Sequence, residues 1–301
     1  MIEIKNVTKK FGAFTALDNI SLSIPEGCVY GTVGSNGAGK STLLRVINGI
    51  YRPESGTVTL DGAPVWENPA VKRRTVFVSD EPYFEPGANL KRMAAMYGSL
   101  RPVFDAALFN RLAAEFELPL KKAVGAFSKG MKRQAAVLLA LSVDADYYFF
   151  DETFDGFDPV VRSRVRQLIN RYIIDRGVTA MLTSHSLREL EDVCDRLALL
   201  HKGGVVLDSE VSDLKTSLFK VQLAYNADYG KEIFDGIEVL EFEKNGSVCT
   251  AVVKGDREEV RARLEATSPV LLDILPLSLD EVFRFELSAL GYTDKETGGE
   301  I

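Results

Sequence analysis

Apolar and polar residues alternate with different periods along the chain, and the changes of period predict the order of its elements. Over residues 1–33, apolar side chains such as Ile24, Val29 and Val33 recur on both sides of a hairpin-like Pro25-Glu26-Gly27 segment. This pattern predicts an antiparallel sheet beside a further strand. From about residue 88 to residue 142 the apolar residues recur three and four positions apart, which predicts helices.

Two apolar runs follow the helical region and restore a strand pattern. They lie at residues 147–150 and 178–182, and a helical segment at residues 160–176 separates them. Ser186 and Glu189 have the spacing of a capping box and predict a further helix from Ser186. Because strands and helices alternate through this region, the sequence predicts an α/β fold.

A second pattern begins after about residue 215. Predicted strands lie at residues 219–224, 239–242, 248–253 and 270–275, and predicted helices at 257–266 and from 278 toward 290. Asn245-Gly246 predicts a hairpin between two of these strands. We therefore expect a main domain over residues 1–215 with a helical subdomain at about 88–142, a small α+β domain over 216–290, and a disordered tail at 291–301.

Composition and charge narrow the class of protein. The chain has 301 residues, of which 46% are hydrophobic, and its formal net charge is −7. An acidic balance argues against nucleic acid as a partner. The three cysteines, Cys28, Cys194 and Cys249, have no paired spacing that would indicate a disulfide framework or a zinc site. The longest uncharged apolar stretch, at about 135–143, is too short to cross a bilayer, so we expect any membrane path to belong to another chain.

The strongest chemical signal is a glycine-rich segment between a predicted strand and a predicted helix. Residues 34–42 read Gly-Ser-Asn-Gly-Ala-Gly-Lys-Ser-Thr and fit the pattern G-x-x-x-x-G-K-[ST]. Such a loop turns backbone N–H groups toward phosphate oxygens, and the helix that follows adds the positive end of its dipole. Lys40 would reach the outer phosphates and the Ser41 hydroxyl would bind Mg²⁺. Alone, this motif indicates a nucleoside triphosphate and leaves the class of enzyme open.

Three further segments stand in a fixed order after this loop. The apolar strand at 147–150 ends in Asp151 and Glu152, which places an aspartate where it can reach the metal shell. Ser128 and Gly130 precede a helical run and predict either a second anion site or an ordinary helix cap. His185 ends the strand at 178–182. A lone histidine at a strand end is more often structural, but the position of His185 after the other motifs favours a functional role.

In this order the segments resemble the ATP-binding subunit of ATP-binding cassette (ABC) transporters over residues 1 to about 215. The resemblance implies a P-loop NTPase core of the ABC type, with an antiparallel β subdomain and a helical subdomain that carries the family signature. Residues 277–283, Leu-Ser-Leu-Asp-Glu-Val-Phe, resemble the closing segment of many prokaryotic export-type cassette ATPases. The implied cofactors are ATP and Mg²⁺.

The resemblance also implies a role for each site residue. Glu152 would be the catalytic base, His185 the switch histidine, and Phe11 the aromatic residue that stacks on adenine. The residues implied to bind the nucleotide are Phe11, Gly34, Ser35, Asn36, Gly37, Ala38, Gly39, Lys40, Ser41, Thr42, Ser128 and Gly130, and the metal would be held by Ser41, Asp151 and Asp80. Residues 155–159, Asp-Gly-Phe-Asp-Pro, match the loop that touches the opposite subunit.

Several positions depart from the usual family pattern. Lys129 and Met131 replace the first glycine and the glutamine of the common signature Leu-Ser-Gly-Gly-Gln. Where the family usually has a glutamine that links the metal to the membrane partner, this chain has Ser79-Asp80-Glu81-Pro82. Our alignment places Asp80 at that position, and a shift of one residue would place Glu81 there. Either residue makes the metal shell more anionic.

These features together predict an ATP-hydrolysing subunit that powers a separate membrane permease, which we expect to be an exporter. The signature of each subunit would complete the site of a second copy, or of a paralogous subunit, in a head-to-tail, ATP-dependent dimer. The protein would lie in the cytoplasm, held on the inner face of the membrane by its permease. Two alternatives remain: an ABC ATPase that acts on ribosomes or DNA, and a regulatory half-site in a heterodimeric transporter.

Overall fold

A computed structural model describes residues 1–101 and 103–289 of the chain. The chain divides into two compact units, one over Met1–Asp208 and one from Ser209 onward. The predicted disordered tail at 291–301 lies outside the described residues. None of the helices within the described ranges combines the length and apolar character that a membrane span requires.

The first unit contains two sheets and seven α-helices within its described residues. Its strands are β1 (Ile2–Phe11), β2 (Phe14–Ile24), β3 (Val29–Val33), β4 (Ser55–Leu60), β5 (Ala63–Pro64), β6 (Thr75–Val78), β7 (Tyr147–Phe150), β8 (Thr179–Ser184), β9 (Arg196–His201) and β10 (Gly204–Glu210). Its helices are α1 (Lys40–Ile47), α2 (Pro69–Arg73), α3 (Leu90–Leu100), α4 (Ala106–Glu115), α5 (Lys129–Leu141), α6 (Pro159–Arg176) and α7 (Leu187–Leu190). A 3₁₀ turn at Val124–Ala126 precedes α5.

The central sheet of the first unit has the strand order β10-β9-β3-β8-β7-β6. Its middle strands are parallel, and every residue of β3, β7 and β8 is buried. Burial on both faces explains why β7 reads as a continuous apolar run and why β3 and β8 show no regular alternation of apolar and polar residues. Parallel pairing also brings the carboxyl ends of β3, β7 and β8 to one edge of the sheet, where the loops that follow them meet.

A second sheet, with the order β2-β1-β4-β5, is antiparallel. Its buried residues, such as Ile4 and Leu22, share one hydrophobic core with Leu43 and Leu44 of α1 and with Tyr147 of the central sheet. This core fixes α1 between the two sheets. The start of α1, which follows the glycine-rich loop, is held in place by this packing.

Three helices occupy the stretch in which apolar residues recur at helical spacing. Each begins at a capping side chain: Asn89 for α3, Asp105 for α4 and Ser128 for α5. The segment Arg133–Leu141 of α5 is buried throughout. By contrast, the predicted helix from Ser186 is a single turn, α7, and the Ser186 side chain makes no cap. The Glu189 carboxylate accepts a hydrogen bond from Ser184 Oγ instead, so the capping-box prediction was wrong.

The second unit is a four-stranded antiparallel sheet with helices. Its elements are α8 (Val211–Ser217), β11 (Leu218–Ala224), β12 (Glu238–Asn245), β13 (Val248–Lys254), α9 (Arg257–Glu265), β14 (Leu271–Pro276) and α10 (Leu279–Ala289), with a 3₁₀ turn at Lys231–Phe234. The strand order β12-β13-β11-β14 is that of a split βαβ fold in which the 3₁₀ turn takes the place of the first helix.

The local signals predicted for the second unit are present. Asn245 pairs with Val248 across the β12–β13 turn, and Gly246 has a φ of +66°. At the start of α10, Ser278 N–H donates to the Glu281 carboxylate and Glu281 N–H donates to Ser278 Oγ, which is the reciprocal capping box. The unit has its own hydrophobic core, in which Val221 of β11 packs with Leu264 of α9.

Candidate functional site

Most of the predicted site residues line one cleft at the carboxyl edge of the central sheet. The cleft has a volume of about 520 Å³. The described residues that line it are Phe11, Phe14, Ala16, Asn36, Gly37, Ala38, Gly39, Lys40, Ser41, Thr42, Asp80, Glu81, Lys129, Arg133, Glu152, Asp155 and His185. Segments separated by up to 174 residues in sequence, from Phe11 to His185, therefore contribute to a single concave surface.

The glycine-rich loop joins β3 to α1, and two of its glycines are required by its geometry. Gly37 and Gly39 have φ values of +84° and +108°, which residues other than glycine rarely adopt. A methyl group at Gly39 would also lie 2.6 Å from the carbonyl oxygen of Ala16. The loop therefore packs closely on the antiparallel sheet while its residues 35–37 stay exposed toward the cleft.

Lys40 is the first residue of α1, and its ammonium group is held on three sides. Nζ donates to the carbonyl oxygens of Gly34 and Ser35 and lies 3.1 Å from Glu152 Oε1. The side chain is buried, and a buried charge is stable only when it is paired. The side chain of Lys40 thus joins the glycine-rich loop to Glu152.

Asp151 follows β7 directly and is completely buried. Its Oδ1 atom accepts hydrogen bonds from Ser41 Oγ at 2.9 Å and from Thr183 Oγ1 at 2.8 Å. Its Oδ2 atom has no hydrogen-bond partner among the described residues and lies 3.8 Å from Arg45 Nη2. Burial raises the pKa of Asp151, and the two hydroxyl hydrogen bonds partly oppose that rise.

Glu152 stands in a strained conformation at the centre of the cleft. Its φ is +46°, which a residue with a side chain adopts only when its surroundings impose it. Its N–H donates to Thr183 Oγ1 at 3.0 Å. Its Oε2 lies 3.0 Å from His185 Nδ1, so the carboxylate stands between Lys40 and His185.

Asp80 lies two residues after β6, and its partly exposed carboxylate forms an ion pair with Arg45. Its Oδ1 is 3.3 Å from Arg45 Nη2, and the same guanidinium nitrogen faces Asp151. The charge of Asp80 also contributes to raising the pKa of Asp151. Glu81 lines the cleft as well, so both residues considered for this position reach it. Of these two, Asp80 is the one whose carboxylate pairs with Arg45.

Phe11 ends β1 and presents a ring that is 45% exposed at the cleft. Tyr51 supports it edge-on, with ring centroids 5.4 Å apart, and Lys9 Nζ lies 5.2 Å from the ring centre. A large exposed aromatic ring held at a fixed angle offers a planar apolar surface for stacking.

Ser128 and Gly130 lie at the start of α5, where Ser128 Oγ accepts from the Met131 N–H at 3.2 Å. Of the described residues on this helix, Lys129 and Arg133 line the cleft, whereas Ser128 and Gly130 do not. The structure therefore brings together the residues from Phe11, the glycine-rich loop, Asp80, Asp151, Glu152 and His185, and leaves the signature pair apart from them.

Two contributors to the site were not predicted from the sequence. Thr183 precedes His185 and binds both Asp151 and the backbone of Glu152, while Arg45 pairs with both Asp80 and Asp151. No local pattern singles out Thr183, because it is the pairing of β8 with β7 that places it against Asp151. Arg45 lies about one and a half helical turns after Lys40. The sequence does not indicate which elements that side of α1 contacts.

The chain is similar to known proteins in sequence and in fold. The model of the family described as ABC transporter matches residues 17–155. The chain is 29% identical to the ABC transporter ATP-binding protein YtrB of Bacillus subtilis (strain 168), over 94% of this chain and 97% of the relative. It is 33% identical to the Nod factor export ATP-binding protein I of Burkholderia orbicola (strain AU 1054), over 94% of this chain and 95% of the relative.

A solved structure titled as the ATP-binding subunit of an ABC transporter superposes with a TM-score of 0.65. The sequences are 25% identical, and the match covers 71% of this chain and 91% of that one. The α/β fold class and the family resemblance predicted from the sequence are confirmed.

The Thr183 hydroxyl provides a test of this geometry that needs no ligand. We expect Thr183→Val to lower the free energy of unfolding by about 1–3 kcal/mol, because it leaves the Glu152 N–H without its acceptor and removes a donor from buried Asp151. Thr32 is the matched control: it pairs in register with Thr183 on β3, is equally buried, and its hydroxyl has no hydrogen-bond partner among the described residues. Thr32→Val is expected to be neutral or stabilising. Equal losses for both variants in urea titrations would contradict the assigned role.

Proposed function

This chain belongs to the family of ABC transporter ATP-binding proteins, and from this premise we propose that it hydrolyses ATP in the cleft to drive a separate membrane permease that exports its substrate. The observation that carries the proposal is the meeting of Lys40, Ser41, Asp151 and Glu152 at one sheet edge. An accidental glycine-rich turn would not assemble a buried carboxylate with one unpaired oxygen beside a second carboxylate and a lysine. The relatives are named as transporter subunits, which favours this function over one on ribosomes or DNA.

The donors around Asp151 fit Mg²⁺. The unpartnered Oδ2 of Asp151, the Ser41 hydroxyl and the Asp80 carboxylate are oxygen ligands, which this hard cation prefers. No group of three or more histidine, cysteine or acidic side chains in the described ranges is placed to hold a metal by itself. A site that relies on nucleotide phosphates for its remaining ligands is typical of Mg²⁺ in ATPases. When bound, Mg²⁺ supplies positive charge to the outer phosphate oxygens.

The side chains of the cleft divide the work of phosphoryl transfer. Lys40 and the N–H groups of the glycine-rich loop would bind and orient the phosphates, since Lys40 is the residue whose charge is already aimed into the loop. Glu152 would accept a proton from the attacking water, and His185, 3.0 Å from Glu152, would orient that carboxylate and the outer phosphate. Phe11 would stack on the adenine ring. The presence of both Glu152 and His185 in the cleft supports an active rather than a silent half-site.

A second subunit would complete the site. Ser128 and Gly130 stand at the N-terminus of α5, where free N–H groups and the helix dipole favour an anion, yet they do not line the cleft of their own chain. A head-to-tail pair, with a second copy or a paralogous subunit, would place this helix start against the partner's nucleotide.

The permease would contact an apolar groove between the loop after β6 and α3. This groove has a volume of about 320 Å³ and exposes Tyr83 and Leu100 at its rim. Exposed apolar side chains gathered at one concave surface are typical of a protein interface. Its lining includes Ser79, the residue before Asp80. A permease bound there could therefore shift the position of Asp80 at the proposed metal site. The subunit would then sit on the cytoplasmic face of the membrane.

The role of Glu152 can be tested by removing its basicity while keeping its shape. We expect Glu152→Gln to bind ATP and to lose turnover by a factor of about 10² or more, because an amide cannot accept the proton of water. Size-exclusion chromatography with ATP should show a stabilised dimer of the variant, which serves as the control for intact binding. Turnover near the wild-type rate would refute the assignment.

Asp80 is tested through the metal dependence of ATPase activity. Asp80→Asn removes a negative charge near the proposed metal site, and the charge of Arg45 beside Asp151 is then balanced by one carboxylate fewer, so both effects oppose a cation. We expect the Mg²⁺ concentration for half-maximal activity to rise about tenfold, equivalent to about 1.4 kcal/mol. Glu81→Gln is the control at the neighbouring position. A shift in the control and not in Asp80→Asn would move the assignment to Glu81.

We further propose that the region from about residue 216 is an accessory domain that performs no chemistry. Every proposed ligand of phosphate, metal and water lies at or before His185, and the second unit has its own hydrophobic core. A chain ending at Glu210 retains β10 whole, and we expect it to bind ATP with an unchanged dissociation constant. Analytical ultracentrifugation would report whether its ATP-dependent dimer is weaker, as expected if the domain supports pairing. A folded truncation that fails to bind ATP would contradict the division of roles.

A further inference from the structure

Arg133 is a buried arginine on the helix that begins with the signature, and burial of a guanidinium has to be compensated by hydrogen bonds. The side chain is only 5% exposed. Nη1 donates to the backbone carbonyl of Asp155 and lies 3.1 Å from its Oδ2. Nη2 donates to the backbone carbonyl of Asp80 at 3.1 Å. One side chain of α5 therefore bonds two loops of the nucleotide cleft.

The two loops held by Arg133 carry the chemistry of the site. Asp80 lies in the loop after β6, and Asp155 lies in the loop after β7 that also contains Asp151 and Glu152. The strands β6 and β7 are parallel neighbours, with Val78 paired to Phe150. The Asp155 N–H donates to the carbonyl of Glu152 at 3.3 Å. Arg133 is thus attached directly to the proposed metal-side residue and, within one loop turn, to the proposed base.

Asp80 is held from two directions. Its carbonyl accepts from Arg133 of α5, and its carboxylate is paired with Arg45 of α1. The helix that starts at the phosphate loop and the helix that starts at the signature are therefore connected through a single residue. Lys129 lies 3.1 Å from the same Asp155 carboxylate, but its side chain is 68% exposed, and within the described part of the chain Asp155 is its one acidic partner.

We propose that Arg133 is a positioning residue that fixes the loops of Asp80 and Asp155 to the signature helix, so that the three segments move as one body. This inference rests on the proposed function, and it assigns a role to a residue outside the phosphate, metal and water ligands. A shift of α5 toward a second subunit's nucleotide would carry Asp80 and the loop after Glu152 of its own subunit. Placement of the base would then depend on closure of the opposite site.

The test compares substitutions that remove different parts of the contact. Arg133→Met removes both carbonyl bonds and the ion pair, Arg133→Lys keeps the charge and can serve one loop, and Asp155→Asn removes the ion pair but leaves both backbone acceptors. Lys129→Met is the matched control, since it removes a cation from the same Asp155 carboxylate without touching the Asp80 loop. Each full-length variant is measured for binding of a fluorescent ATP analogue, for kcat, and for amide hydrogen exchange in peptides covering residues 79–84 and 152–158.

We expect Arg133→Met to bind the nucleotide within twofold of wild type and to lose about tenfold or more in kcat, because small misplacements of catalytic groups are costly. Hydrogen exchange should rise in both peptides. The loss in kcat should be smaller for Arg133→Lys and smallest for Asp155→Asn. Lys129→Met should leave exchange in the 79–84 peptide at the wild-type level.

A wild-type kcat and wild-type hydrogen exchange in Arg133→Met would overturn the proposal. Equal effects of Arg133→Met, Asp155→Asn and Lys129→Met would also overturn it, because the contact would then act only as an ordinary ion pair. If Arg133→Met does not fold, Arg133→Lys decides: reduced kcat with retained binding supports the role, and unchanged kcat refutes it. If the wild-type protein has no ATPase activity, the proposed function fails, and the exchange of the two peptides still tests the role of Arg133.

Discussion

The hydrogen bonds that Ser41 and Thr183 donate to one oxygen of Asp151 hold together the edge on which the whole site depends. Ser41 belongs to α1, Asp151 follows β7 and Thr183 lies in β8, so this junction joins three separate elements. It is buried among continuous apolar strands, where an unsatisfied carboxylate would be costly. Because Oδ1 takes both hydroxyls, Oδ2 is left without a hydrogen-bond partner among the described residues and lies 3.8 Å from Arg45 Nη2.

Charge around this junction is balanced by two basic residues placed on opposite sides. Lys40 stands against Glu152, and Arg45 stands between Asp80 and Asp151. Three carboxylates in one partly buried cleft would otherwise repel one another and oppose folding. In the proposed function, an entering phosphate would take over part of the pairing of Lys40, and an entering cation would take over part of the pairing of Asp80 and Asp151.

The helical region contributes to this cleft through a contact that its signature motif does not contain. Arg133 bonds the two loops that leave β6 and β7, and Arg45 bonds the same Asp80 from α1. A guanidinium suits this position because it is planar, always charged and able to donate in two directions at once. Regular elements alone would set the distance between α5 and the central sheet, whereas these bonds set the placement of individual loop residues.

The sequence by itself determined the glycine-rich loop, the acidic pair after β7 and most of the regular elements, because these depend on local spacing. The class of reaction followed from the family that the ordered motifs resemble. Gly39 and Lys40 are recognisable from their neighbours, and the hairpin at Asn245-Gly246 and the capping box at Ser278 act within a few residues. Only the tertiary structure decided what these residues touch. Thr183 meets Asp151 through parallel strand pairing, Arg45 and Arg133 reach Asp80 from different helices, and Glu189 pairs with Ser184 in place of the predicted cap. Such contacts join residues far apart in the chain, and their geometry follows from packing that no local pattern encodes.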